Sequence, residues 1–174
     1  TGKFRTSYLR ITTGDFVTDT VQDVIKLRGS LRIALNDPDG KLITERIINN
    51  LVVTQGRSWV LGQLESVNIQ TAQTIGYMAV GTSSTAPTTA DTLLNSEVLR
   101  VAVGTWVTST LTANPPSWQA QISLATNQAN TTLAEVGLFN TSGSNAATML
   151  GHATFASFVK ATSNTLTISY TISG

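Results

Sequence analysis

Apolar and polar residues alternate over short runs in much of this chain, and a period of two is typical of half-buried β-strands. The clearest run spans residues 31–36, where leucine and isoleucine occupy every second position. Residues 37–40, Asp-Pro-Asp-Gly, have the composition of a tight turn, and a second strand-like run follows over residues 42–48. This pattern predicts a β-hairpin.

Further strand-like runs follow the hairpin, among them residues 50–53, 75–80, 98–112 and 166–172. The run 98–112 is long for one strand, and we expect a bend at Gly104 because glycine inside a strand marks a kink or a bulge. About six to eight strands with turns at this spacing predict a mainly β protein. The expected architecture is an antiparallel β-sandwich of jelly-roll or Greek-key type.

One segment has the pattern of a helix. Thr54 is a suitable N-cap, and residues 55–65 place Trp59, Val60 and Leu64 near one face. Two glycines in this segment lower its intrinsic helical stability, so that tertiary packing must hold it. We expect one short helix whose apolar face covers an open end of the sheet.

The central segment, residues 75–100, combines several signals. A short apolar strand ends at Gly81 and runs into a loop of serine, threonine, alanine and proline, which cannot form a core of its own. Asp91 and the pair Leu93–Leu94 then suggest a capped helical turn. That turn would bring Glu97 and Arg100 to the start of the next strand.

The first 30 residues have no clean periodicity, and they contain five basic and three aromatic residues. Over residues 3–10, basic residues alternate loosely with two aromatic residues and a leucine. The basic and aromatic residues concerned are Lys3, Phe4, Arg5, Tyr8 and Arg10. We expect residues 1–30 to form an extended N-terminal arm that contacts an acidic, grooved partner surface, and residues 31–174 to form the β-sandwich domain. A partly ordered terminus is the alternative.

Composition limits the classes of function. Charged residues make up 12% of the 174 residues, the formal net charge is +1, and about a quarter of the chain is serine or threonine. A surface with few charges can pack against neighbours at a low desolvation cost, which favours assembly. Scattered basic residues argue against nucleic acid as the main ligand. No run approaches the roughly 18 apolar residues of a membrane span, and residues 1–10 contain no signal-peptide core, so we expect assembly in a cytoplasm.

Catalytic and metal-binding patterns are not found in the sequence. The chain has one histidine, His152, and no cysteine, so neither a nucleophile with a base nor a zinc ligand set is suggested. We expect His152 to be a packing or surface residue, with a pH-sensitive or interface role as the alternative. The carboxylates Asp91, Glu97 and Glu135 are isolated candidates with nothing to pair them for glycoside hydrolysis. We therefore expect a protein that is not an enzyme and uses no cofactor.

Ion pairs are the polar interactions that the sequence does suggest. Glu97 and Arg100 lie three residues apart in a chain with few charges, and we expect them to form a structural or inter-subunit ion pair. Glu135 precedes an apolar strand and needs an arginine or backbone partner to be buried. Arg100 or Arg57 would serve.

Four sequence pieces occur in one order along the chain. They are NLVVTQGR at residues 50–57, AVGTSSTAP followed by NSEVLR at 79–100, AEVGLFN at 134–140 and MLGHATF at 149–155. Together these pieces resemble a family of small phage virion structural proteins, over roughly residues 50–172. The resemblance implies a β-rich, non-enzymatic particle component of the kind found among capsid-decoration, tail-fibre and baseplate proteins.

The sequence is compatible with two functions. The first is a capsid decoration or cement protein, a homo-oligomer that we expect to be a trimer, bound to the major capsid protein in the virion with its arm laid over neighbouring subunits. The second is a tail-fibre, baseplate or neck component that binds tail proteins or a glycan. A fibre shaft is disfavoured because the chain has neither heptads nor collagen-like repeats.

Overall fold

The computed structural model describes residues 27–65, 75–110, 116–143 and 147–174, with side chains except at 63–65 and 105–110. In these ranges the protein is mainly β with one helix, as the sequence predicted. The elements are β1 Arg28–Asn36, β2 Leu42–Val52, α1 Thr54–Glu65, β3 Tyr77–Gly81, β4 Glu97–Ala102, β5 Thr105–Thr110, β6 Ser117–Leu124, β7 Thr132–Phe139, β8 Met149–Val159 and β9 Thr165–Ser173.

The nine strands form one antiparallel sheet in the order β4-β3-β7-β8-β2-β1-β9-β6-β5. The two edge strands, β4 and β5, follow each other in the chain and are joined only by Val103 and Gly104. Three Cα–Cα steps span at most about 11 Å, so the two edges of the sheet must lie close together. The sheet is therefore curled almost into a barrel.

The β1–β2 hairpin is confirmed, and its turn shows why the Asp-Pro-Asp-Gly sequence is suited to it. One carboxylate oxygen of Asp37 accepts hydrogen bonds from the backbone N–H groups of Asp39 and Lys41, at 3.0 and 2.8 Å. Gly40 has a φ of 81°, in the left-handed region that favours glycine. Side-chain capping and backbone freedom together close the turn.

The main core is built from rows of aliphatic side chains that run across the strands. Leu31, Ile33 and Leu35 of β1 lie opposite inward-facing residues of β9, which in turn lie opposite inward-facing residues of β6. The other half of the sheet adds residues of β3, β7 and β8 to the same core, including Met78 and Leu138. Each fully buried leucine or isoleucine contributes about 1.5–3 kcal/mol relative to its exposed state.

Helix α1 packs on β8, and a glycine permits the close approach. A Cβ atom added at Gly56 would overlap the backbone of Leu150. Trp59 and Val60 lie against the main core, as the helical pattern indicated. Gly62, by contrast, faces open space.

Three local predictions were wrong. Residues 50–53 do not form a separate strand, because β2 continues through them and changes partner from β1 to β8 at Leu51. The run 98–112 is interrupted at Gly104, where a bend was expected, but the two parts are separate strands, β4 and β5, at opposite edges of the sheet. Residues 91–96 contain a bend and a short turn in place of the expected helical turn, although Glu97 does lie at the start of the next strand, β4.

The predicted arm lies almost wholly outside the described residues. Lys3, Phe4, Arg5, Tyr8 and Arg10 all fall there. Of the last residues assigned to the arm, 28–30 belong to β1. The sheet thus begins slightly earlier in the chain than the periodicity indicated.

The two glycines of α1 allow a matched test of the helix packing. We expect Gly62→Ala to raise the free energy of unfolding by about 1 kcal/mol, because alanine is the better helix former and nothing obstructs its methyl group. We expect Gly56→Ala to lower it by about 1–3 kcal/mol, because the methyl group must displace the β8 backbone. Urea unfolding of both variants measures the difference, and a stabilising Gly56→Ala would contradict this packing.

Candidate functional site

One half of the sheet is covered on both faces. The inner face of β3, β7 and β8 contributes to the main core, and the segment of residues 82–96, here called the anchored loop, covers the other face. A second apolar cluster lies under the loop, where Leu94 packs with Ala79 and Phe139. Every residue of β7 after Thr132 is consequently buried.

The loop is attached to the sheet by the carboxylate of Glu135, which is fully buried on β7. Its Oε1 accepts hydrogen bonds from the backbone N–H of Ser96 at 2.7 Å and of Ser83 at 3.3 Å. Its Oε2 accepts one from the N–H of Asn95 at 3.1 Å. A buried carboxylate is tolerated when several donors compensate its lost hydration, and here the backbone of the loop provides them.

His152 of β8, also fully buried, continues the network. Its Nε2 lies 3.1 Å from Oε2 of Glu135, and its Nδ1 lies 2.7 Å from Oδ2 of Asp91 in the loop. A neutral imidazole has one N–H and could donate to only one of these carboxylates, whereas an imidazolium donates to both. The geometry therefore suits a positively charged ring between two negatively charged groups.

Asp91 is half-buried and connects this network to the tip of the loop. Its carboxylate accepts hydrogen bonds from the backbone N–H of Thr88 at 2.9 Å and from the Thr88 hydroxyl at 2.6 Å. Burial by itself would raise the pKa of Asp91, but the hydrogen bonds from Thr88 and the contact with His152 outweigh it and hold that pKa below its usual value. The ionised form of Asp91 is thus the one that fits the fold.

The anchored loop can approach the sheet closely because the residue at position 81 is glycine. Gly81 of β3 lies between Glu97 and Glu135 in the row that crosses β4, β3 and β7. A Cβ atom at this position would overlap both Oε1 of Glu135 and the carbonyl oxygen of Ser96. Glycine at position 81 therefore lets the carboxylate reach the backbone of the loop.

Glu97 and Arg100 form the expected ion pair, and both lie on β4. An irregularity in the β3–β4 register at Val98 brings both side chains to the same face. The guanidinium donates to both oxygens of Glu97, at 3.0 and 2.6 Å, and to the carbonyl oxygens of Thr141 and Gly143 at 3.2 Å each. It also lies 3.7 Å above the ring centroid of Phe139, within cation–π range.

The remaining sequence-based assignments differ from this arrangement. Neither Arg100 nor Arg57 is the partner of Glu135, which instead uses the backbone, the other option that the sequence left open. Arg57 lies exposed on α1. Asp91 and His152, which the sequence gave no reason to connect, prove to be members of one network. The only available signals were a single histidine within an apolar strand and a single acidic residue in an uncharged loop.

The exposed surface of the loop is neutral. No charged residue lies between Gly81 and Asp91, and the exposed positions are mostly serine, threonine and alanine. Beside the loop, Leu93 and Val98 are exposed at 44% and 45% and border a concave cavity of about 380 Å³. The loop thus presents a neutral surface above a charged anchor in which Glu135 and His152 are fully buried and Asp91 is half-buried, and Glu97 and Arg100 line the neighbouring cavity.

The chemistry available at the network is limited by its geometry. Both ring nitrogens of His152 face carboxylate oxygens, so the ring is not directed at a hydroxyl that it could activate. Within the described residues, no group of three or more histidine, aspartate or glutamate side chains has the arrangement of a metal site.

The described helix is too short and too polar to cross a membrane. Comparisons with protein families, with curated proteins and with solved structures found no match to this chain.

The Glu135 anchor can be tested with a matched pair of substitutions. We expect Glu135→Gln to lower the free energy of unfolding by about 3 kcal/mol, because an amide places a donor where backbone N–H groups or the His152 ring also donate. The control is Glu45→Gln in the Arg32–Glu45 pair, in which Arg32 is exposed and Glu45 is half-buried, and we expect a change within about 1 kcal/mol. Chemical denaturation at neutral pH measures both. Equal effects of the two changes would contradict the anchoring role.

Proposed function

We propose that this chain is a bacteriophage virion structural protein, and specifically a capsid decoration or cement protein that binds the major capsid protein. The observation that best supports this function is the anchored loop, a neutral exposed surface held in one conformation by buried charges. The four sequence pieces that resemble small virion proteins support the same class. The loop lies within the second of these pieces.

The physical argument concerns the cost of binding. Association is opposed by the entropy lost in ordering loops and by the desolvation of charged groups. A loop already fixed by Glu135 and His152 has little conformational freedom left to lose. Because its exposed side chains are uncharged, they can be buried against a protein surface at a low desolvation cost.

Self-association has a separate support. Leu93 and Val98 are exposed next to β4, which is an edge strand of the sheet formed by the described residues, and the backbone groups of an edge strand can bind another chain. We propose a homo-oligomer, a trimer, in which such edges contribute to the contacts. We also propose that the two halves of the curled sheet pack as a jelly-roll or Greek-key sandwich, because both halves contribute to the main core.

The residues that precede β1 provide the second contact in this proposal. Their basic and aromatic residues would bind along an acidic groove of neighbouring shell subunits, which adds interface area beyond what one compact face can supply. Many weak contacts repeated by symmetry then add by avidity. The virion is accordingly the proposed location of the protein.

A tail-fibre, baseplate or neck component is the second candidate, because the same surface could bind a tail protein. The number of copies of this chain in each particle distinguishes a capsid protein from a tail component. We expect quantitative mass spectrometry of purified particles to give a ratio to the major shell protein near one or a simple fraction such as a third. A ratio lower by one or two orders of magnitude would place the chain in the tail and overturn the capsid assignment.

The role of the loop can be tested by binding to shells that lack this chain. Ser84 lies exposed in the loop, and Ser163 lies exposed in the β8–β9 turn at the other end of β8. We expect Ser84→Lys to weaken binding at least about tenfold, since a lysine introduced there loses hydration without gaining a partner. Ser163→Lys should bind like the unmodified chain, with both variants equally stable. Normal binding by Ser84→Lys would exclude the loop as the contact surface.

A further inference from the structure

The position of His152 has a consequence for how the loop responds to protons. The anchored loop and the paired strands β7 and β8 bring Asp91, Glu135 and His152 into one continuous contact. His152 is the single histidine of the chain and is fully buried. With the ring protonated and both carboxylates ionised, the three groups have a net charge of −1.

We propose that Asp91, His152 and Glu135 form a proton-controlled latch, which fixes the anchored loop while the imidazole ring holds both of its protons and frees the Asp91 side when the ring loses one. Loss of that proton leaves two carboxylates around a neutral ring. One ring nitrogen then presents a lone pair to a carboxylate oxygen, which is a repulsive contact in a water-poor site.

The contact that opens is the one with Asp91. Glu135 is on a central strand, and its carboxylate retains three backbone hydrogen-bond donors, so it has no other position with equally good partners. Asp91 is half-buried on a loop, and water can replace the ring as its partner. Its release would free residues 88–91, whose backbone is held to α1 by the hydrogen bond from Thr54 N–H to the carbonyl oxygen of Thr89.

Among the residues that the structure describes, no other charged group takes the place of the ring. On β2, which pairs with β8 beside His152, the facing residues are Leu51 and Val52. Helix α1 meets β8 through Gln55 and Gly56, and its Arg57 is exposed. Arg100 is in the same cross-strand row as His152, but two small residues separate them and its charge is paired with Glu97.

The latch also has an acid limit. The lowered pKa of Asp91 means that its ionised form stabilises the fold. That contribution is fully present above the unfolded pKa, about 3.9, and is lost as the pH falls through the lower folded value. Between this limit and the deprotonation of the ring, all the contacts are made. The inference concerns regulation of the proposed binding surface and rests on the proposed function for its biological meaning, but the latch itself is a property of the isolated chain.

Nuclear magnetic resonance of the uniformly ¹⁵N-labelled chain provides the test, because a single histidine gives one set of ring resonances. We expect the ring nitrogens to have imidazolium shifts at the lower pH values. Over the pH interval in which the ring titrates, protection factors of the Thr54 and Asp91 amides should fall at least tenfold. The Ser96 amide and the amides of β9 should keep their protection. A neutral ring tautomer at every pH at which the chain is folded, or protection that does not change with the ring, would overturn the proposal.

The matched variant is Asp91→Asn, which removes one charge while keeping the shape. An asparagine side chain can accept a hydrogen bond from a protonated ring or donate one to a neutral ring. The protection factor of the Thr54 amide should therefore not show a pH-dependent step in this variant. A step of the same size in the variant would also overturn the latch. Failure of the chain to bind shells, with the step intact in the unmodified protein, would count against the proposed function and leave the latch standing.

Discussion

The carboxylate of Glu135 is the group on which this half of the structure depends. A carboxylate inside a sheet is costly unless donors replace water, and here three backbone N–H groups and a histidine do so. Since the three backbone donors belong to the anchored loop, the loop must cover the sheet for the charge to be tolerated. Coverage in turn buries the second face of β7 and β8. Burial of the charge and folding of the loop are therefore one event.

Close packing around this network requires small residues at particular points. Gly81 lets Glu135 reach the loop, and Gly56 lets α1 approach β8. Arg100 fixes the outer border by binding Glu97, two backbone carbonyl oxygens and the face of Phe139. Few other placements of the loop would have a similar energy, because a shifted loop would leave the buried polar groups without their hydrogen-bond partners.

The distribution of charge links this architecture to the proposed function. The chain has few charged residues, and several of those in the described ranges are used internally, in the network of Asp91, His152 and Glu135 and in the pair of Glu97 and Arg100. The loop surface above them remains neutral. A rigid, neutral surface beside a free sheet edge is suited to contacts with other protein chains. The same internal charges make that surface responsive to protons.

The sequence by itself determined the elements whose signals are local. Turn chemistry defined the β1–β2 hairpin, and spacing with an N-cap defined α1 almost to the residue. Local patterns could not show that residues 98–112 split between two edges of a curled sheet, since alternation continues through both strands. Nor could they connect Asp91 with His152, which lie 61 residues apart. Periodicity reports which face of a strand is apolar, whereas only tertiary structure decides what covers the other face and which buried charges then meet.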